Sequence, residues 1–243
     1  MKTGVKLETL SWIEAEQWFA DNPIVVIPLG ASAKEHGPHL PLNNDAIIAT
    51  WLSEQIMQRM AIVVAPLINS SFYPAFVEYP GSISLRYETA RDVIVDTCAS
   101  LASFGLSRFY VVNTGLSTLR PLAEVKTLLP AEITFEYLDL DAALQHLPDD
   151  LLTQRFGSHA DEHETSLMLH IAPEVVDMSR AIDDGAEGEG RLTRSRGQGL
   201  WSASGVFGQA TLASADKGKV IAEGLLRHAC AQIESLDEQG RRE

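Results

Sequence analysis

Four short apolar runs recur along the chain, each bounded by polar or turn-forming residues. Residues 23–29 (PIVVIPL), 61–66 (AIVVAP) and 108–112 (RFYVV) are β-branched or aromatic and almost continuously apolar. Runs of that length without alternation suit strands buried on both faces of a parallel sheet. The fourth, 133–138 (ITFEYL), alternates more and is placed near an edge. Between the runs the spacing turns helical. Ile47, Ile48, Trp51, Leu52 and Ile56 predict a helix over 46–60, and Val93, Ile94, Leu101 and Phe104 predict one over 89–104. A shorter helix is expected over 119–129, and two late ones over 159–171 and 215–236. Strands alternating with helices require crossover connections. The expected fold is therefore α/β, a three-layer α/β/α sandwich with a mostly parallel central sheet.

Segment 183–204 breaks the pattern. It is rich in Gly, Asp, Glu, Arg and Ser and has few apolar anchors. A long loop is expected there, either mobile or ordered by a neighbouring subunit. The chain has no internal repeat, low-complexity tract or linker, so residues 1–243 are read as one domain. Charge narrows the partners. With 33 acidic against 19 basic residues the net charge is −14, which argues against nucleic acid and anionic membrane surfaces. No apolar stretch reaches spanning length, and the N-terminus lacks a basic leader followed by an apolar run. Cytoplasmic localisation is expected. Cys98 and Cys230, widely separated, are expected to be free thiols acting as small apolar residues.

Candidate chemistry concentrates in two places. The first, Lys34-Glu35-His36-Gly37-Pro38-His39 through Asp45, follows directly on the first expected strand. Gly37, Pro38 and Pro41 disfavour a regular helix, so this is a shaped loop at a strand's carboxyl end, where open α/β sheets bind ligands. Imidazole and carboxylate are the usual ligands of a hydrolytic divalent metal, although Asp45 could also simply cap the following helix. The second cluster, Gly157-Ser158-His159-Ala160-Asp161-Glu162-His163-Glu164-Thr165-Ser166, opens a helical pattern. His159 and His163 are four apart and would share a helical face. The Glu is misplaced for an HExxH zinc helix. A third segment, 113–118, links the third strand to a helix and could offer amides to an anion or form a plain capped turn.

These pieces, in this order, resemble the creatininase (creatinine amidohydrolase) family from about residue 23 to residue 236. The family's G-S-x-E-Q-H-G-P-H-L-P motif is matched from Gly30 to Pro41, followed by Asp45. Its P-G-T-I-S-L segment is matched by Pro80 to Leu85, and H-A-x-E-x-E-T-S by His159 to Ser166. The G-V-x-G and acidic-K-G tail is matched by Gly205 to Gly208 and by Asp216-Lys217-Gly218. The resemblance implies a metal-dependent hydrolase of a cyclic amide, formamide or related C–N bond. It implies metal ligands at His36, Asp45 and Glu164, and acid, base or oxyanion-stabilising roles among Lys34, Glu35, His159, Glu162 and His163. Two positions depart from the family pattern. Lys34 stands where the motif has Glu, and Gly115 stands where N-G-H-G-G-N has its His. One divalent metal per chain is therefore expected rather than two, zinc first by ligand type, with manganese or iron as alternatives. A homo-oligomer, by resemblance a hexamer, and a small-molecule substrate complete the expectation. The alternatives are a non-catalytic binding protein of the same fold, or a hydrolase of a lactone or cyclic ketone.

Overall fold

The computed structural model describes residues 3–185, 190–196 and 199–240. Five strands form one sheet: β1 (Val5–Lys6), β2 (Val25–Leu29), β3 (Val63–Val64), β4 (Arg108–Asn113) and β5 (Thr134–Tyr137). Their order is β1-β3-β2-β4-β5 and every pair is parallel, with Val26 opposite both Val64 and Tyr110 and Phe109 opposite Phe135. The alternating run over 133–138 does form the edge strand. Of the elements the apolar pattern left out, β1 forms the opposite edge, while α1 (Trp12–Phe19) and α5 (Leu140–Leu144) are short helices.

The strands are buried on both faces, and each face has its own core. Ile24, Val26, Val64, Tyr110 and Val112 pack against α2 (Asn44–Arg59), α6 (Glu162–Ile171) and α7 (Ala215–Gly240). Val25, Ile27, Leu29, Phe109, Val111 and Phe135 pack against α3 (Tyr87–Ala102) and α4 (Leu119–Leu128). The result is the expected three-layer α/β/α arrangement. The connection leaving β2 runs to β3 on one side, and that leaving β4 runs to β5 on the other. The crevice between their carboxyl ends is the switch point where ligands bind in open α/β sheets.

The expected loop over 183–204 carries short pairings in its described parts. β6 (Asp183–Asp184) pairs with β9 (Gly208–Gln209), and β7 (Leu192–Thr193) with β8 (Leu200–Trp201). Residues 186–189 and 197–198 of that segment lie outside the described residues. Asp184 accepts from the Ser202 and Ser204 hydroxyls, and Glu78 accepts from the Thr193 hydroxyl and the Arg194 amide. The segment is thus tied to its own chain at both ends. Cys98 and Cys230 are both free; Cys98 is buried and Cys230 half-buried. Burial pushes the Cys98 thiol up to about 12. No described helix is long and apolar enough to cross a membrane.

Candidate active site

The loop after β2 is built by close backbone approach. Gly30 lies against the first turn of α2, where a Cβ would overlap the Asp45 carbonyl. Gly37 turns the chain at φ +69°, a conformation glycine adopts without strain. The Lys34 amide donates to the Leu42 carbonyl at 2.9 Å and closes the loop. The carboxylate of Asp45, fully buried, then receives two partners from this one loop. The Lys34 ammonium lies 2.7 Å from its Oδ2 and His36 Nε2 lies 2.8 Å from its Oδ1. Burial alone would raise the Asp45 pKa, but the Lys34 and His36 charges outweigh it and hold the carboxyl well below its usual range.

His36 carries a second constraint. Its Nδ1 lies 2.8 Å from the Lys34 carbonyl, which can only accept, so Nδ1 carries a proton. In the neutral ring Nε2 is then an acceptor, yet it faces an Asp45 oxygen that also only accepts. A shared cation at that point, a proton or a metal ion, resolves the conflict.

The second arm arrives differently from the sequence expectation. The helix begins at Glu162, with Asp161 as its cap, its carboxylate accepting from the Glu164 amide at 3.1 Å. Ala160 just before it has φ +48°. His159 therefore lies outside the helix, in an antiparallel bridge with Phe207, and does not share a helical face with His163. The kink at Ala160 swings its ring under the first loop instead. His159 Nε2 lies 2.8 Å from the Glu35 carbonyl and 3.2 Å from Glu35 Oε2, and Nδ1 lies 3.6 Å from Glu164 Oε2. The ring sits 4.9 Å from that of His36 and 4.4 Å from that of Phe76. Burial pushes against an imidazolium, but Glu35 and Glu164 outweigh it and raise the His159 pKa. The same pairing pulls the buried Glu35 down. Glu164 is likewise held low against its burial by His159, His36 and Lys34.

Donor atoms of His36, His159 and Glu164, all buried, lie within 4.8 Å of one another. Two imidazoles and a carboxylate at that separation suit a single first-row divalent ion, and the unresolved Nε2 contact of His36 fits the same reading. The Asp45 oxygens already face Lys34 and His36, and at Gly115 even a Cβ would meet Thr118 Oγ1 at 3.0 Å. The segment after β4 is instead locked on itself: Asn113 Oδ1 accepts from the Thr118 hydroxyl and the Gly115 amide. That amide is not available to an anion.

Lys34, Glu35, His36, Asp45, His159 and Glu164 are thus brought together. Glu162 is not. Its carboxylate accepts from the Thr153 and Gln154 amides and pairs with Lys217, tying the segment before α6 to α7. His163 lines a cavity of about 340 Å3 that Lys34, His159 and Glu164 also line. Sequence reasoning missed Phe76 and Tyr73, whose rings lie 4.8 and 5.6 Å from the Lys34 ammonium. Their segment carries no local signal beyond its aromatic content.

Comparison with known proteins follows the same lines. The creatininase family profile, described as creatinine amidohydrolase, matches residues 8–233. A 3-dehydro-scyllo-inosose hydrolase of Thermotoga maritima is 26% identical over 253 residues, covering 92% of this chain and 81% of that protein. A mycofactocin precursor peptide peptidase of Mycobacterium ulcerans is 30% identical over 211 residues, covering 82% of this chain and 80% of that protein. A solved structure titled as the manganese form of creatininase superposes with a TM-score of 0.77 at 23% identity, covering 96% of this chain and 99% of the other.

Proposed function

The chain belongs to the creatininase family, and on that premise we propose that it is a metal-dependent hydrolase acting on the C–N bond of a cyclic amide, formamide or related small molecule. The observation that carries the reading is the buried triad of His36, His159 and Glu164 with donor atoms within 4.8 Å. These three residues would hold one divalent ion per chain, zinc or manganese by donor type. When bound, such an ion supplies a Lewis acid for the scissile carbonyl and lowers the pKa of a water.

The remaining residues have separable tasks. Glu35 fixes the His159 ring through Nε2, at 3.2 Å from its carboxylate, and leaves Nδ1 toward Glu164. Lys34 keeps a positive charge beside Asp45, at the motif position where the family has a carboxylate. One of its protons faces Asp45 and the others are free to donate to an oxyanion developing in the cavity. Phe76 lies against this ammonium and keeps water from one side of it.

A second reading keeps hydrolysis and changes the bond, with a lactone or cyclic ketone as substrate. The alignment over 92% of this chain with a hydrolase named for a dehydro-inosose favours it. The test is metal analysis of protein purified without chelator, with a panel of lactams, hydantoins, formamides, lactones and cyclic ketones. One divalent ion per chain is expected, with turnover of a C–N substrate that chelation abolishes and zinc or manganese restores. Turnover confined to lactones or ketones would favour the second reading. Two ions per chain would overturn the one-metal assignment. Absence of metal and of turnover throughout would leave a binding protein of this fold.

A further inference from the structure

The cavity beside the triad is lined by α6, by the start of α5 and by the loops after β2 and β4. Most charges in that lining are already matched within the protein. Lys34 lies 2.7 Å from Asp45, and Arg191 reaches Glu78 at 3.3 Å. Glu164 accepts from the Ala160 amide and faces His159 at 3.6 Å. Asp161 accepts from the Gln154 side-chain amide at 2.7 Å and from the Glu164 amide at 3.1 Å. Asp141, in the first turn of α5, differs. Among the described residues, no hydrogen bond or ion pair reaches its carboxylate. The residue is exposed, so a ligand has access to it. Partial burial and the neighbouring Asp139 both raise its pKa, and the His163 imidazole opposes them. An acidic residue in a first helical turn is favoured by the backbone amides. That accounts for the residue type but gives the carboxylate no counter-charge.

Its place in the fold limits what can meet it. Asp141 follows β5 and Lys34 follows β2, with β4 between those strands. Neighbouring strands lie about 4.8 Å apart, so the two strand ends are roughly 10 Å apart. The cavity thus has a triad end, where the Lys34 ammonium stands, and an acidic end at Asp141. Phe76, Leu116, Leu140 and Leu144 supply apolar walls. The volume of about 340 Å3 lies at the small end of the range for small-molecule sites. It suits a single ring with one substituent. An exposed carboxylate gains little by exchanging water for a neutral donor, and more from a donor that carries positive charge. A cationic substituent directed at the other end would meet the Lys34 ammonium.

From these observations, and resting on the hydrolase reading above, we infer that Asp141 is a specificity-determining residue that pairs with an ammonium group on a small-ring substrate. The substrate class is a cyclic amide or related ring bearing an amine away from the scissile carbonyl. Asp141 holds that end of the ring, and the carbonyl is thereby turned toward Lys34 and the triad.

The test uses three matched rings, 4-amino-2-pyrrolidinone, 4-hydroxy-2-pyrrolidinone and 2-pyrrolidinone, with binding measured calorimetrically at neutral pH on the metal-loaded full chain. The native protein should bind the amino ring ~5-fold tighter than the other two, the scale of a solvent-accessible ion pair. Added salt should narrow that preference. Asp141→Asn, which keeps the shape and removes the charge, should level the amino ring with its parent, and Asp141→Lys should reverse their order. Asp141 is exposed and lies outside the apolar cores, so both variants should fold. Equal binding of the amino and hydroxy rings, no binding of any ring at millimolar concentration, or a preference that survives Asp141→Asn would overturn the inference. Preference without turnover of any ring would count against the hydrolase reading alone. Turnover without preference would count against Asp141 alone.

Discussion

At the scale of single residues, the ion pair of Lys34 and Asp45 dominates. Both side chains are at least 95% buried, and their separation is 2.7 Å. Removing one member of a buried pair leaves an uncompensated charge, whereas replacing both by apolar groups of similar size is often tolerated. Asp45→Leu should therefore destabilise the metal-free protein by about 3 to 5 kcal/mol, and adding Lys34→Met should recover most of that loss. Urea denaturation of the two variants decides the matter; a double variant as unstable as the single one would mean that Lys34 is not the partner that counts. The residues of this pair were legible in the sequence, because the motif around them is ordered and dense. Their pairing was not. The resemblance implies Asp45 as a metal ligand, and only the folded loop shows the Lys34 ammonium 2.7 Å from its carboxylate. Nor could sequence place His159, which spacing put on a helix with His163. The positive φ of Ala160, at a residue that rarely adopts it, redirects that ring toward Glu35.

Elements were read best where burial is two-sided. The four apolar runs correspond to four strands because a strand covered on both faces has no polar face to blur the signal. The two-residue β1 offers no run at all. Helix α1 is only eight residues long and has no buried residue. Its start nevertheless carried a signature in Ser11 and Glu14, which form a reciprocal capping box. Helix α7 was expected, but not how tightly it crosses α6. Gly218 sits where a Cβ would overlap the Ser166 carbonyl, a backbone group that cannot turn aside. Gly224, on the same helix, faces only the flexible end of Leu147. Overpacking a rigid contact typically costs about 1 to 3 kcal/mol, while Gly to Ala inside a helix gains roughly 0.5 to 1. Gly218→Ala should thus lower the melting temperature, and Gly224→Ala should leave it unchanged or raise it. Equal effects of the two substitutions in thermal denaturation would refute the close crossing. The match of Asp216-Lys217-Gly218 to the family's acidic-K-G tail gains a physical reason here: Lys217 ties Glu162 while Gly218 admits α6.

For the whole molecule the open matter is assembly. The sequence leaves segment 183–204 either mobile or ordered by a neighbouring subunit, and its described parts are anchored by Asp184 and Glu78 within the same chain. That motive weakens, and the resemblance to the family remains. Another motive is the apolar surface: Trp12 is 75% and Phe104 67% exposed, and both line one groove between α1 and α3. Large exposed apolar side chains gathered in one place mark interaction surfaces more often than scattered ones do. Against association stands the charge of −14 on each chain, which copies brought together would multiply. The two effects respond oppositely to salt. Screening weakens long-range repulsion, with a Debye length that falls from about 30 Å at 0.01 M to about 10 Å at 0.1 M, and leaves apolar contact intact. The expected outcome is a homo-oligomer, a hexamer by resemblance, whose association strengthens as ionic strength rises across that range. Sedimentation at micromolar concentration reads this directly. A monomer at every salt concentration would refute assembly, and an oligomer that dissociates on adding salt would place ion pairs rather than apolar contact at its interface.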